Sequence, residues 1–151
     1  MLVCLAALAA CGRKQVPNSN IPAAGTIGTL HPGETPEIRR KINYWAKEHD
    51  IPASLLHRVI QRESDYRVRA RNGPYYGLMQ ILPQTARTMG FRGSPEELLD
   101  ADTNLKYAGR YLRGAYIVSG GDEAEAVMWY ARGYYYEAKR QGLLKETGLK
   151  K

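Results

Sequence analysis

The sequence repeatedly places helix-starting residues just before segments whose apolar residues recur with the helical period. Thr35 precedes Pro36 at the head of the first such segment, and Pro52 lies in the first turn of the second. A capping residue followed by a proline is typical of helix N-termini. No segment shows the sustained alternation of apolar and polar residues that strands require. The chain is therefore predicted to be all-α.

The same signals divide the rest of the chain into helices. We predict helices over residues 36–50, 52–65 and 83–89, a capping box at Ser94-Pro95-Glu96-Glu97, a long helix capped by Asp102 that ends near Val118, and one or two helices from Asp122 onward, interrupted at Gly133. Residues 69–76 are predicted to form a short extended loop. With 151 residues, the chain has room for one hydrophobic core, and we predict one compact helical domain with a cleft over residues 35–151.

The N-terminus has the composition of an export signal. Residues 1–10 are apolar, end in small residues and are too few to span a bilayer. The run from Leu8 to Cys11 resembles the lipobox of bacterial lipoproteins, in which the cysteine becomes lipidated, and Gly12 then implies sorting to the outer membrane. We expect a periplasmic protein anchored through Cys11. An ordinary cleaved export signal is the alternative.

Two compositional features bear on stability and partners. Residues 11–34 are rich in Gly, Pro, Asn, Ser and Thr and are predicted to form a flexible tether, and no cysteine follows Cys11, so the domain must be stabilised by packing. The formal net charge is +7, which favours a polyanionic partner: nucleic acid, anionic lipid or an acidic cell-wall polymer. A solvated basic surface with no such partner is equally compatible with this charge.

A carboxylate lies in the apolar stripe of the second predicted helix. Leu56, Val59 and Ile60 spread over one face, and Glu63 falls near the centre of that face. Burial disfavours the charged form of a carboxyl group and raises its pKa, which suits a general acid working near neutral pH. The alternative is that Glu63 closes the helix at the edge of the core and reaches water, or pairs with Arg62 or Arg67.

Short motifs follow Glu63 in a defined order. They are Arg62-Glu63-Ser64-Asp65-Tyr66, Gly77-Leu78-Met79-Gln80-Ile81, Pro83-Gln84-Thr85-Ala86, the positions Leu99, Asp102, Asn104, Gly109, Tyr111 and Leu112, and finally Trp129-Tyr130-Ala131-Arg132-Gly133. Together they resemble the catalytic core of the soluble lytic transglycosylase family, whose fold is lysozyme-like, over residues 38–140. In most of that family the last of these motifs has the sequence Tyr-Asn-Ala-Gly-Pro. Tyr130 and Gly133 match this motif, and Ala131 replaces its asparagine.

The resemblance implies an activity. Such an enzyme cleaves the β-1,4 bond between N-acetylmuramic acid and N-acetylglucosamine in peptidoglycan and leaves 1,6-anhydromuramic ends, with Glu63 as the catalytic acid and base. This chemistry needs one carboxylate rather than the usual pair of a glycosidase. Asp65 follows Glu63 by two residues, so in a continuous helix its side chain would point roughly 200° away and could not face the same sugar. Asp100 and Asp102 look like helix caps.

The resemblance also suggests substrate-binding residues, each with a structural alternative. Ser64 orients the acid or the substrate, or satisfies the helix end. Met79 forms an apolar wall of the cleft, or belongs to the core; the Gln80 amide bonds a sugar N-acetyl group. The Asn104 amide points inward, to a site or to a core hydrogen bond. The Tyr130 hydroxyl bonds Glu63 or the substrate, or a structural partner.

Two rival functions remain open on the sequence. Arginines interleaved with eleven tyrosines also suit a nucleic-acid-binding module, although an export signal is unexpected there. A peptidoglycan-binding protein that keeps the fold and has lost catalysis is the other rival. His31, His49 and His57 are scattered along the sequence, so no metal or cofactor is predicted. We expect a monomer whose partners are peptidoglycan strands and, through Cys11, a membrane, with no nucleic acid.

Overall fold

A computed structural model describes residues 29–150, and these residues are mostly helical, which confirms the all-α prediction. The helices are α1 (Pro36–His49), α2 (Ala53–Glu63), α3 (Pro83–Thr88), α4 (Ala101–Val118), α5 (Glu123–Arg132) and α6 (Tyr135–Gln141), with a 3₁₀ helix over Pro95–Leu99. The predicted extended loop is a small antiparallel hairpin of β1 (Arg71–Asn72) and β2 (Tyr75–Tyr76). The predicted export signal and Cys11 lie outside the described residues.

Capping residues set most of the helix ends where the sequence predicted them. The Thr35 side chain accepts a hydrogen bond from the Ile38 amide at the start of α1, and Asp122 does the same for Glu125 at the start of α5. Ser94 and Glu97 form both bonds of the predicted capping box. Each of these caps satisfies amides that have no partner within the helix.

Two predicted boundaries were wrong. Helix α2 ends at Glu63 rather than at Asp65, because Asp65 and Tyr66 have left-handed backbones with φ of 50° and 62°. Helix α4 is capped by Asp100, whose side chain accepts from the Thr103 amide at 2.8 Å. Asp102 instead lies in the first turn of α4.

Helix α4 is the centre of the packing. It lies against α1 and α5, and α3, α6 and the 3₁₀ helix also contact it. Many of the fully buried side chains come from α1, α2 and α4, among them Ile42, Leu55, Leu56, Ile60, Leu105 and Leu112. Burial of these apolar faces is the main source of stability in a domain without disulfides. None of the helices within residues 29–150 is both long and apolar enough to cross a membrane.

The last residues of the predicted tether pack onto the helical domain. The Glu34 side chain is fully buried and accepts hydrogen bonds from the Arg39 guanidinium in α1. Gly33 contacts the backbone of Asp65, beyond the end of α2. The folded part of the chain therefore extends N-terminal of residue 35, because contacts with α1 and with the turn after α2 hold this segment.

Candidate active site

The last residue of α2 places a carboxylate at the edge of the core. The Glu63 side chain is 24% exposed, while Val59 and Ile60 on the same helix are buried. Its closest charged partner is the Arg62 guanidinium, with Nε 3.6 Å from Oε1. The carboxylate accepts no hydrogen bond from any group within residues 29–150. It therefore reaches solvent from a half-buried position.

Burial changes the acidity of this group. Removal from water raises the pKa of the Glu63 carboxyl group, and the charge of Arg62 lowers it by a smaller amount. Glu63 consequently keeps its proton to a higher pH than an exposed glutamate does, as a general acid requires.

Glu63 opens onto a groove between the hairpin and α5. One cavity of about 370 Å³ is lined by Arg62, Glu63, Asn72, Tyr75, Gln80, Tyr130 and Ala131. A second, of about 200 Å³, shares the last four of these residues and continues along Ile81, Leu82, Thr85, Tyr111, Arg132 and Gly133. The shared lining makes the two cavities one groove that runs from Glu63 to the end of α5.

Gln80 and Tyr130, two of the predicted substrate-binding residues, line this groove. The Gln80 amide nitrogen donates to the carbonyls of Ala70 and Gly77, and these two bonds hold the side chain in place at the groove. The Tyr130 hydroxyl donates to the Met79 carbonyl at 2.8 Å. Burial, and then the nearby Glu63 charge, raise the pKa of Tyr130, so this hydroxyl stays protonated.

Met79 and Asn104 lie in the core rather than along the groove, which agrees with the structural alternative that the sequence left open for each. Both side chains are fully buried. The Asn104 oxygen accepts from the Met79 amide, and its nitrogen donates to the carbonyls of Tyr76 and Leu98. Asn104 thus ties the loop behind the groove to α4. Gly77 is needed there, because a Cβ at this position would lie 2.3 Å from the Asn104 amide nitrogen.

Ser64 also has the structural role that the sequence left open. Its side chain is buried, and its hydroxyl donates to the Leu78 carbonyl at 2.7 Å. This bond joins the end of α2 to the loop that carries Gln80. Ser64 therefore fixes Glu63 relative to the opposite wall of the groove without contacting the groove itself.

No second carboxylate lines the groove within the described part of the chain. Asp65 is exposed and, since α2 has already ended, its predicted helical direction does not apply. Asp100 caps α4, and Asp102 bonds Lys41 and the Trp45 indole of α1. The groove is thus built around one acid.

Asn72 and Tyr75 of the hairpin line the groove and were not among the predicted site residues. Tyr75 is 42% exposed, so part of its ring is open to solvent at the groove. The signal available in the sequence was the Gly73-Pro74 turn, which indicates a tight connection and brings Asn72 and Tyr75 together across the hairpin.

Two histidines that are scattered in the sequence meet in the structure. The rings of His31 and His57 lie 4.9 Å apart, and Glu34 is close to both. The Glu34 carboxylate is already held by Arg39, and the His57 Nδ1 atom by the Tyr66 hydroxyl. These groups therefore form a hydrogen-bonded cluster that joins residues 31–34 to α1 and α2.

The described residues thus form a helical domain in which a half-buried glutamate at the end of α2 faces a groove across a small hairpin. The family model described as the transglycosylase SLT domain matches residues 40–148, which is most of the chain. The chain belongs to this family, and its function is accordingly related to peptidoglycan. No solved structure matches the chain.

Proposed function

We propose that the protein is a lytic transglycosylase that cleaves the bond between N-acetylmuramic acid and N-acetylglucosamine and leaves 1,6-anhydromuramic ends. The observation that carries this proposal is the single half-buried carboxyl group of Glu63 at the groove. Burial raises the pKa of this group and so favours the protonated form that the acid step needs. Within residues 29–150 the groove offers no second carboxylate for the paired chemistry of a glycosidase.

Glu63 would act twice in this reaction. It first donates its proton to the glycosidic oxygen, so that the bond from that oxygen to C1 of the muramic residue breaks. The resulting carboxylate then accepts the proton of the C6 hydroxyl of the same sugar, and the C6 oxygen bonds to C1. The proton lost in the first step is recovered in the second, and water is not consumed.

The groove walls suit a glycan strand. Tyr75 presents an exposed aromatic ring with a polar tip, and Tyr130 and the Gln80 amide line the same groove. Arg62 and Arg132 add positive charge along the groove, which favours a wall polymer that carries carboxylates. Ala131, at the family's asparagine position, lines both cavities with a small side chain.

Digestion of purified sacculi over a range of pH separates this proposal from a binding protein that has lost catalysis. We expect soluble fragments to be released, with kcat/KM falling as the pH rises through the raised pKa of Glu63, because the acid step needs the protonated form. Bound but intact sacculi at every pH would support the binding-only alternative. An alkaline loss of activity at the pKa of an ordinary exposed glutamate would contradict the role given to burial.

We also propose that the protein is a periplasmic lipoprotein of the outer membrane, supported by the lipobox-like run from Leu8 to Cys11 and by Gly12. Cys11→Ser is expected to move the protein from the membrane fraction to the soluble periplasm, since the thioether-linked lipid would be lost. Fractionation with immunoblotting measures this shift. A parent protein that is already soluble, or cleaved elsewhere, would contradict the anchor and leave the enzyme proposal unchanged.

A further inference from the structure

The turn after Glu63 has a backbone conformation that L-residues disfavour. Asp65 and Tyr66 are consecutive left-handed residues, and neither is glycine. The Cβ atom crowds the following carbonyl in this conformation, so such a turn persists when surrounding contacts hold it. The amides of Ser64 and Asp65 both donate to the Ile60 carbonyl, which closes α2 at this point. The position of Glu63 therefore depends on the contacts that hold the turn.

Residues 31–34 supply such contacts, and we call this segment the N-terminal clamp. Gly33 lies so close to the turn that a Cβ there would be 3.0 Å from the Asp65 carbonyl oxygen. The His31 ring stacks on the Tyr66 ring, with centroids 5.7 Å apart and planes 15° from parallel. Tyr66 is buried, and its hydroxyl bonds His57 Nδ1 of α2 at 2.7 Å.

The clamp is itself fixed at both ends. The buried Glu34 carboxylate accepts from the Arg39 guanidinium of α1 and from the His31 backbone amide. The Gln61 amide nitrogen of α2 lies 2.8 Å from His31 Nδ1. Gln61 lies two residues before Glu63, and the turn of Asp65 and Tyr66 follows it. The clamp therefore contacts the chain both before and after Glu63.

We propose that His31 and Gly33 are positioning residues that hold the end of α2 and so aim the Glu63 carboxyl group into the groove. This inference rests on the proposed function. Both residues precede the segment that matches the family model, residues 40–148, so the family match does not assign them. They touch the turn and α2 rather than the groove lining.

The test compares His31→Ala and Gly33→Ala with Thr35→Ala in the otherwise unchanged protein. Thr35 caps α1 two residues after Gly33, so its loss perturbs the same part of the chain without removing a contact to the turn. We expect both clamp variants to lower kcat on sacculi about tenfold with little change in KM, since small misplacements of a reacting group carry penalties of this order or larger. Thr35→Ala should retain the parental kcat per folded molecule, and His31→Phe, which keeps a stacking ring, should recover most of the loss.

Two further readouts separate positioning from a general loss of stability. The alkaline limb of the pH profile should move to lower pH in the clamp variants, because a loosened Glu63 is better solvated and its pKa falls towards the ordinary value. Amide hydrogen exchange at Ser64 and Asp65 should also accelerate about tenfold relative to Thr35→Ala, since local opening of the turn exposes both amides. Exchange rates and kcat equal to those of Thr35→Ala would overturn the clamp. If the parent protein makes no cleavage product while the exchange difference is present, the proposed function fails and the contact of the clamp with the turn stands.

Discussion

Glu63→Gln is expected to lower peptidoglycan cleavage by roughly 10² to 10⁴-fold while the domain stays folded. Glutamine has nearly the shape of glutamic acid but donates no proton to the glycosidic oxygen and accepts none from the C6 hydroxyl. Since the carboxyl group is half-buried and makes no hydrogen bond within residues 29–150, its replacement leaves no partner unsatisfied. The measurement is the rate of soluble fragment release from sacculi, together with thermal unfolding.

Glu37→Gln is the matched control for this variant. This substitution makes the same chemical change in the first turn of α1. The Glu37 side chain is 68% exposed there and pairs with Lys41 one helical turn away. Exposed pairs of this kind contribute little to stability, so parental activity and stability are expected. Cleavage by Glu63→Gln at close to the parental rate would show that another group supplies the proton.

Asn104→Ala is expected to lower the free energy of unfolding by about 3 to 5 kcal/mol. The side chain is fully buried, and its removal leaves the Met79 amide and the carbonyls of Tyr76 and Leu98 without their partner. Each unsatisfied buried group costs on the order of 1 to 3 kcal/mol, and the small side chain also leaves a cavity. Urea unfolding followed by circular dichroism measures the loss.

Asn72→Ala serves as the control for the effect of losing an amide side chain. Asn72 is exposed at the hairpin, so its substitution should change the free energy of unfolding by less than about 0.5 kcal/mol. Similar stabilities for the two variants would mean that Asn104 does not hold the loop behind the groove.

Local sequence signals were sufficient for most of the fold. The caps at Thr35, Ser94 and Asp122 act within one helical turn, so their residue types alone predict where α1, the 3₁₀ helix and α5 begin. The end of α2 was missed because Asp65 and Tyr66 adopt left-handed conformations that their residue types disfavour. Contacts from residues distant in sequence hold that turn.

The same limit applies to the candidate site. Helical periodicity predicted that Asn104 points inward, and it does, but the pattern contains no information on what lies opposite. The partners proved to be backbone groups of the loop at Tyr76 and Met79, more than 20 residues away in sequence. Met79 likewise follows a groove-forming turn and yet faces the core. Glu63 could be identified from the sequence because helical periodicity alone shows a carboxylate on an apolar helix face. No knowledge of its contacts in the folded domain was needed.

The clamp was assigned to the tether for a related reason. Gly, Pro and Thr are abundant around residue 33, and such composition is typical of flexible segments. What orders these residues is the ion pair of Glu34 with Arg39 and the stacking of His31 on Tyr66, which joins positions 35 residues apart. Composition cannot report a contact of that sequence separation.

The chemical nature of the cut ends tests the central claim most directly. A groove with Glu63 as its one acid within the described residues leaves the substrate's own C6 hydroxyl as the nucleophile, so the fragments released from sacculi should end in 1,6-anhydromuramic acid. By mass spectrometry these ends should be one water lighter than reducing ends and should not react with borohydride. Reducing ends as the main product would contradict the account, because they would show that water rather than the C6 hydroxyl attacks C1.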